Sequence, residues 1–333
     1  MQALSSRNPA RGSAPAARRA TAAGRPCRLL VRAAAGTKVP AEDLLATAKK
    51  AAQLGAEVVM AAADKPRNIS RKEGTDIVTE TDKASEQAVV AAIRAAFPNH
   101  AVLGEEGGVL GDVSSDYLWC VDPLDGTVNF AHGYQSFCVS VGVLRHATPV
   151  AGCVIEFLGG PKTWTTRTFT AARNQGAFVD GQQIFVSRVK ELRDAVVATE
   201  AVYYEDMWPQ LAVLQKQFTE QCRGVRMSGA AAANLCHLAL GCIDAYWQYN
   251  LKPWDVAAGA IILEEAGGRL TTADGLAYSV FDRSLIATND ALYEKVLALT
   301  EPQTSRMLQE GVSLSTWCVP KGYRVRSGAQ MDR

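Results

Sequence analysis

Two aspartates close together stand out in the run Trp119-Cys120-Val121-Asp122-Pro123-Leu124-Asp125-Gly126-Thr127. An apolar strand leads into them, and Pro123 fixes the turn that separates them. Carboxylates held this near each other repel unless cations lie between them, which is how oxygen sites for hard metals are built. If a helix starts at Gly126-Thr127, its free N–H groups form an anion site beside them. Taken alone, the segment reads equally well as an acidic Asp-Pro turn, since turns favour both residues.

Other acids have the same double reading. Glu105 and Glu106 sit in a glycine-rich run, Gly104-Glu105-Glu106-Gly107-Gly108, that also suits a solvated turn. Asp255 follows Pro253-Trp254 at the start of an apolar helical segment, where the helix dipole favours an acid anyway. Thr79-Glu80-Thr81-Asp82 has the chemistry of a helix N-cap. The four histidines (100, 132, 146, 237) share no motif, and the apolar neighbourhoods of His132 and His237 suit structural roles. The eight cysteines show no C-x-x-C spacing and read as reduced core thiols, not a zinc site or a disulfide framework.

The elements that must carry these groups follow from periodicity. Residues 42–63 are Ala-rich with Leu and Val on one face, a helix. The stretch RNISRKEGTDIVTETD reads as a hairpin turning at Gly74, and residues 83–96 as a second helix stopped by Pro98-Asn99. The strand YLWCVD is expected to end at Pro123, and short β runs over 137–188 predict antiparallel sheet. Beyond them strands (AVVAT, GVRMS, CIDAYWQY, LIATN) alternate with helices at 206–219, 229–240, from Pro253 to Gly267-Gly268, and 290–299. Residues 301–333 have weak periodicity and read as a tail. The division is a leader over 1–36, an α+β half over 37–190 with the metal loop, an α/β half over 191–300, and the tail.

Charge sharpens that division. The chain holds 35 basic and 34 acidic residues in 333, yet residues 1–41 contain seven Arg, one Lys and no acid. The acid-free, Ala/Arg/Ser-rich start has the composition of an organelle transit peptide, and VRAAAG is similar to plastid processing sites of green algae. Chloroplast is the expected destination, ahead of the mitochondrion. The remaining body carries 27 basic against 34 acidic groups, which gives no global attraction for nucleic acid or anionic lipid. Nothing in the sequence is apolar for long enough to span a membrane.

GEEGG, then WCVDPLDGTVNF, then WDVAAGAIILEEAGG, in this order and spacing, resemble the inositol monophosphatase family over roughly residues 42–300. YWQYNLKPWD and the tail SLSTWCVP are most similar to the plastid inositol-monophosphatase-like proteins of plants and algae. The resemblance implies a layered αβαβα sandwich of the inositol monophosphatase and fructose bisphosphatase superfamily. It also implies a Mg²⁺-dependent phosphomonoesterase that hydrolyses inositol 1-phosphate, or a similar small sugar or polyol phosphate, with a metal-activated water. Glu105, Asp122 and the Leu124 carbonyl would hold one Mg²⁺, and Asp122, Asp125 and Asp255 a second; Glu105 would orient a third. Asp82 and Thr127, with Glu105, would serve the attacking water, and the N–H groups of Gly126 and Thr127 would receive phosphate. Substrate would meet Asp125, the backbone of Gly229, Ala230 and Ala231, and Gln248, which stands where inositol-phosphate relatives usually have Glu. Arg71, where relatives often carry Lys, would give electrostatic support. The resemblance further implies lithium inhibition and allows a homodimer. The alternatives are a histidinol-phosphate, bisphosphate-nucleotide or sugar-bisphosphate phosphatase, or a non-catalytic regulatory subunit on the same scaffold.

Overall fold

The structure is a computed structural model that describes residues 38–66, 69–71, 77–200 and 205–325. The leader over 1–36, the turn at Gly74, the side chain of Arg71 and the end of the tail lie outside the described residues.

The first elements are helix α1 (Ala41–Ala62), strands β1 (Ile69–Arg71) and β2 (Ile77–Thr79), helix α2 (Glu80–Ala96), and strands β3 (Ala101–Gly104), β4 (Gly108–Leu110) and β5 (Tyr117–Asp125). After the short helix α3 (Thr127–His132) come β6 (Phe137–Arg145), β7 (Thr148–Leu158), β8 (Thr165–Ala172), β9 (Ala177–Val179) and β10 (Gln182–Ile184). The second part holds β11 (Val196–Ala198), α4 (Trp208–Gln221), β12 (Gly224–Arg226), α5 (Ala231–Ala239) and β13 (Ala245–Tyr249). It closes with α6 (Pro253–Glu265), β14 (Gly268–Thr271), β15 (Ser284–Asn289) and α7 (Tyr293–Gln309). As expected, β1 and β2 pair antiparallel.

Two sheets result. One has eight strands in the order β10-β9-β8-β7-β6-β5-β3-β4, antiparallel except for the parallel pair β3 and β5. The other has five, in the order β12-β11-β13-β15-β14. Side chains alternate across each strand, so each sheet feeds two cores. Trp119 and Val121 of β5 pack with Leu44, Ala52, Val59, Val89 and Ile93 of α1 and α2. Leu118 and Cys120 face the other way, onto Leu235, Val256, Ala258 and Ile261 of α5 and α6. That middle core also takes Tyr246, Leu285 and Ala287 of the second sheet, whose outer residues Trp247 and Ile286 pack with Leu214 and Phe218 of α4 and Val296 and Met307 of α7. The layers are therefore α1/α2, sheet, α5/α6, sheet, α4/α7, the αβαβα sandwich.

Three expectations need correction. The strand predicted to stop at Pro123 runs on to Asp125, because a bulge absorbs the proline: Asp122 pairs with Ser140 and Asp125 with Cys138. The second helix starts at Glu80, three residues before the expected 83, with Thr79 as its cap. Residues 301–309 are not tail but the second half of α7, which continues through Pro302. Its buried face is partly polar (Thr300, Gln303, Thr304), with Thr304 Oγ1 bonded to Tyr249 Oη at 2.7 Å, so the apolar period in the sequence is weak.

Candidate active site

The bulge in β5 brings the two aspartates onto one side. Residues three apart in a regular strand point to opposite faces; the extra residue restores the phase, and their partners Ser140 and Cys138 lie two apart on β6. Leu124, between them, turns into the α1/α2 core. The Pro123 carbonyl accepts from Ser85 Oγ at 2.9 Å, tying the bulge to α2. Glu105 enters from the end of β3, where its N–H donates to the Val121 carbonyl at 3.2 Å. Asp255 enters from the first turn of α6. That helix lies hard against the first sheet, since a Cβ on Gly142 would meet Ala258 N at 2.6 Å and one on Gly152 would meet Ala258 Cα at 2.8 Å.

Each aspartate is aimed by a backbone N–H. Asp122 Oδ1 accepts from Leu124 N at 3.0 Å, and Asp255 Oδ2 from Lys252 N at 2.7 Å. Asp125 accepts from Ala231 N (3.1 Å) and Ala232 N (2.7 Å) at the start of α5 and from Cys138 Sγ (3.3 Å). Burial, then the neighbouring charges of Glu105, Asp125 and Asp255, push the Asp122 carboxyl well above its ordinary range. Burial and then Glu105 do the same to Asp255. Burial raises Asp125 to about 6 against the pull of its hydrogen bonds. Among the described residues no three His, Cys, Asp or Glu side chains stand close enough to form a ready metal cage. The backbone bonds fix these acids in place, while each carboxylate oxygen keeps lone pairs for a further partner. An all-oxygen donor set of several acids, raised by their own repulsion, suits a hard dication such as Mg²⁺.

Asp82 and Thr127 form a second unit. Thr127 Oγ1 lies 3.0 Å from both Asp82 Oδ1 and the Leu124 carbonyl, and its one proton can serve only one of them at a time. Asp82 Oδ2 accepts from Thr79 N at 2.9 Å, so the N-cap reading holds, with Asp82 closing the capping box of α2 while its Oδ1 faces Thr127. Burial, opposed by the bonds to Thr79 and Thr127, raises its pKa. Gly126 stands at φ +88°, and a Cβ there would meet Ser136 O at 2.8 Å and Gly229 O at 3.2 Å. Its turn therefore touches the Gly229-Ala230-Ala231 segment. Gln248 is half-buried on β13 and accepts from Tyr246 Oη.

Four supporting residues escape sequence reasoning. Glu86 accepts from Glu106 N (2.9 Å) and Gly107 N (2.6 Å), fixing the loop of Glu105; its place one helical turn after Asp82 was the available signal. Asn129 Nδ2 donates to Ser136 O and Ser228 O, both at 2.7 Å, and Glu200 accepts from Ser228 N (2.9 Å) and Gly229 N (2.8 Å). Those contacts join distant segments, as does that of Cys138, and no local pattern announces them. His237 has the expected structural role, bonded to Glu156 at 2.7 Å, but His132 is exposed at the end of α3 and not part of a core. The seven described cysteines are all free.

The sequence pattern of the inositol monophosphatase family matches residues 41–305. The chain is 51% identical over 289 residues to the protein named phosphatase IMPL1, chloroplastic, of Arabidopsis thaliana, covering 86% of this chain and 78% of that one. It is 34% identical to Nus factor SuhB of Pseudomonas aeruginosa, over 78% of this chain and 97% of that one. Among solved structures, inositol monophosphatase from Anabaena superposes with a TM-score of 0.65 at 32% identity, over 81% of this chain and 96% of the other.

Proposed function

This chain belongs to the inositol monophosphatase family and is a phosphatase, a phosphoric monoester hydrolase that acts on small phosphorylated substrates; from that premise we propose that it is Mg²⁺-dependent and hydrolyses inositol 1-phosphate or a closely similar polyol phosphate. One observation carries the reading: acids from three separate elements, Glu105, Asp122 with Asp125, and Asp255, are gathered until burial and mutual repulsion raise Asp122 and Asp255, beside a hydrogen-bonded Asp82–Thr127 pair.

Glu105, Asp122 and the Leu124 carbonyl would hold one Mg²⁺, Asp122, Asp125 and Asp255 another, with Glu105 also facing a third. Bound there, the ions would neutralise the phosphate dianion and lower the pKa of water so that it can give up a proton and attack as hydroxide. The chain's own residues do the rest. With its proton on Asp82, Thr127 Oγ1 keeps lone pairs to accept from the attacking water, and burial of Asp82 moves that carboxylate towards a working base. The N–H groups of Gly126 and Thr127 would receive phosphate oxygens. Asp125 and the backbone of Gly229, Ala230 and Ala231 would face the alcohol, oriented by Glu200 and Asn129. Gln248 would contact a hydroxyl as acceptor or donor.

The basic leader and the name of the Arabidopsis relative support plastid targeting. A fusion of residues 1–41 to a fluorescent protein should enter chloroplasts; a cytosolic signal would contradict it. The test of the activity is phosphate release from inositol 1-phosphate with Mg²⁺, with EDTA and in Asp122→Asn. Release insensitive to both changes would overturn the reading. The relative named Nus factor SuhB favours a second reading, a partner-binding role on the same scaffold. Stable capture of a partner by a chain that turns over none of a panel of sugar, histidinol and nucleotide phosphates would favour it.

A further inference from the structure

Beyond α7 the chain doubles back over the sandwich. Val312 and Leu314 pack in the outer core with α4 and α7, whereas Tyr323 joins the middle core and accepts from Ala147 N at 3.0 Å, next to the β6–β7 turn. Between these anchors lies Trp317. The family match ends at residue 305, so this strap lies beyond the matched residues.

Trp317 is bound both to the segment that launches α6 and to the residues just before β15. Its Nε1–H donates to the Leu251 carbonyl at 2.9 Å, and its own N–H donates to Phe281 O at 3.0 Å. The Lys252 ammonium sits 3.8 Å from the indole centroid and the Arg283 guanidinium 4.5 Å from it, so both cations lie over the ring. Arg283 in turn donates from Nε to Asn250 Oδ1 at 2.8 Å, and Asn250 N donates to the Arg283 carbonyl at 2.7 Å. Asn250 itself is held at φ +62°, in the left-handed region. The chain thus enters α6 along a path fixed residue by residue: Asn250 by Arg283, Leu251 by the indole N–H, Lys252 by the indole face. Lys252 is the residue whose N–H aims Asp255 Oδ2.

We propose that Trp317 is a positioning residue for Asp255: the C-terminal strap clamps Leu251 and Lys252, and through the Lys252 N–H sets the direction of the α6 carboxylate towards Glu105 and Asp122. The consequence for cation binding rests on the function proposed above; the clamping does not. The chain thereby couples a segment beyond the family match to the one candidate ligand that comes from α6.

The test uses the full chain in two arms. In the first, cation-free protein is followed by hydrogen exchange over residues 250–257. Trp317→Ala should speed exchange there by on the order of tenfold, and Trp317→Phe, which keeps the ring but loses the Nε1 donor, by less. In the second, Mg²⁺ and Mn²⁺ are titrated calorimetrically. Trp317→Ala should raise the half-saturating concentration about five- to tenfold, with kcat at saturating Mg²⁺ within about twofold of wild type, as expected of a residue that aims a ligand without touching substrate. Should Trp317→Ala fail to fold, Trp317→Phe carries both arms. Wild-type exchange over 250–257 in the folded variant would overturn the clamp, and unchanged half-saturation would overturn its effect on Asp255. A wild-type protein that binds neither cation would instead overturn the functional reading, while the exchange arm still judges the strap.

Discussion

Glu156 and Asp122 are both 2% exposed, both on strands of the eight-stranded sheet and both surrounded by charge, yet the fold treats them in opposite ways. Glu156 meets Arg167 Nε at 2.6 Å and His237 Nε2 at 2.7 Å. Burial works to raise it, but its hydrogen bonds and electrostatic interactions with His237 and Arg167 together outweigh burial and hold it below the ordinary range. Asp122 meets Glu105, Asp125 and Asp255 instead, which add to burial and push it up. A buried acid that serves the fold is paired by the chain itself; acids gathered against one another are stable as charges only when something positive arrives from outside. The difference between the two marks the site more clearly than any single motif.

That contrast can be broken from either side. Asp122→Asn should lower kcat/KM by on the order of a thousandfold, the scale of losing one central electrostatic contact, while thermal unfolding without cation stays unchanged or rises because a repulsive charge is gone. Glu156→Gln should do the reverse. Leaving Arg167 and His237 unpaired should cost about 2–3 kcal/mol of stability in urea unfolding, with kcat of the folded enzyme at saturating Mg²⁺ largely kept.

The two regions also predict opposite responses to pH. Asp125 is raised to about 6 from an ordinary 3.8, so the cation-free folded state binds its proton more tightly than the unfolded chain. Its stabilising contribution is complete below about pH 3.8 and is lost as pH rises through 6, on the order of 3 kcal/mol in all. Glu156 is lowered, so its contribution is present at neutral pH and is lost as pH falls through its folded value. Urea unfolding in EDTA between pH 3.5 and 7 should therefore show Asp125→Asn gaining on wild type as pH rises, and Glu156→Gln losing less as pH falls. The smallest expected effect is at Gln248, where Gln248→Glu should lower KM for inositol 1-phosphate by about three- to tenfold with little change in kcat. An unchanged KM would remove that position from substrate recognition.

The sequence made the acids legible because the spacing around Pro123, Gly126 and Pro253 is local. Helix and strand periods did the same for the layers, since each sheet is apolar on both faces, the outer helices on one, and α5 and α6 nearly all round. It misled where tertiary structure overrode a local signal. Pro123 reads as a strand end, but a bulge tied to Ser85 carries the strand past it. The second half of α7 reads as tail because its buried face spends threonines and a glutamine on hydrogen bonds and packing. The strap's grip on Lys252 joins residues 252 and 317, and neither residue advertises the other.

The most direct measurement is a Mg²⁺ titration of phosphate release from inositol 1-phosphate after exhaustive EDTA treatment, run in parallel with thermal unfolding of the same samples. No release is expected without cation, with recovery that saturates with Mg²⁺ and an unfolding temperature that rises over the same concentration range in wild type but not in Asp122→Asn. Full release in EDTA, with an unfolding temperature indifferent to Mg²⁺, would contradict it.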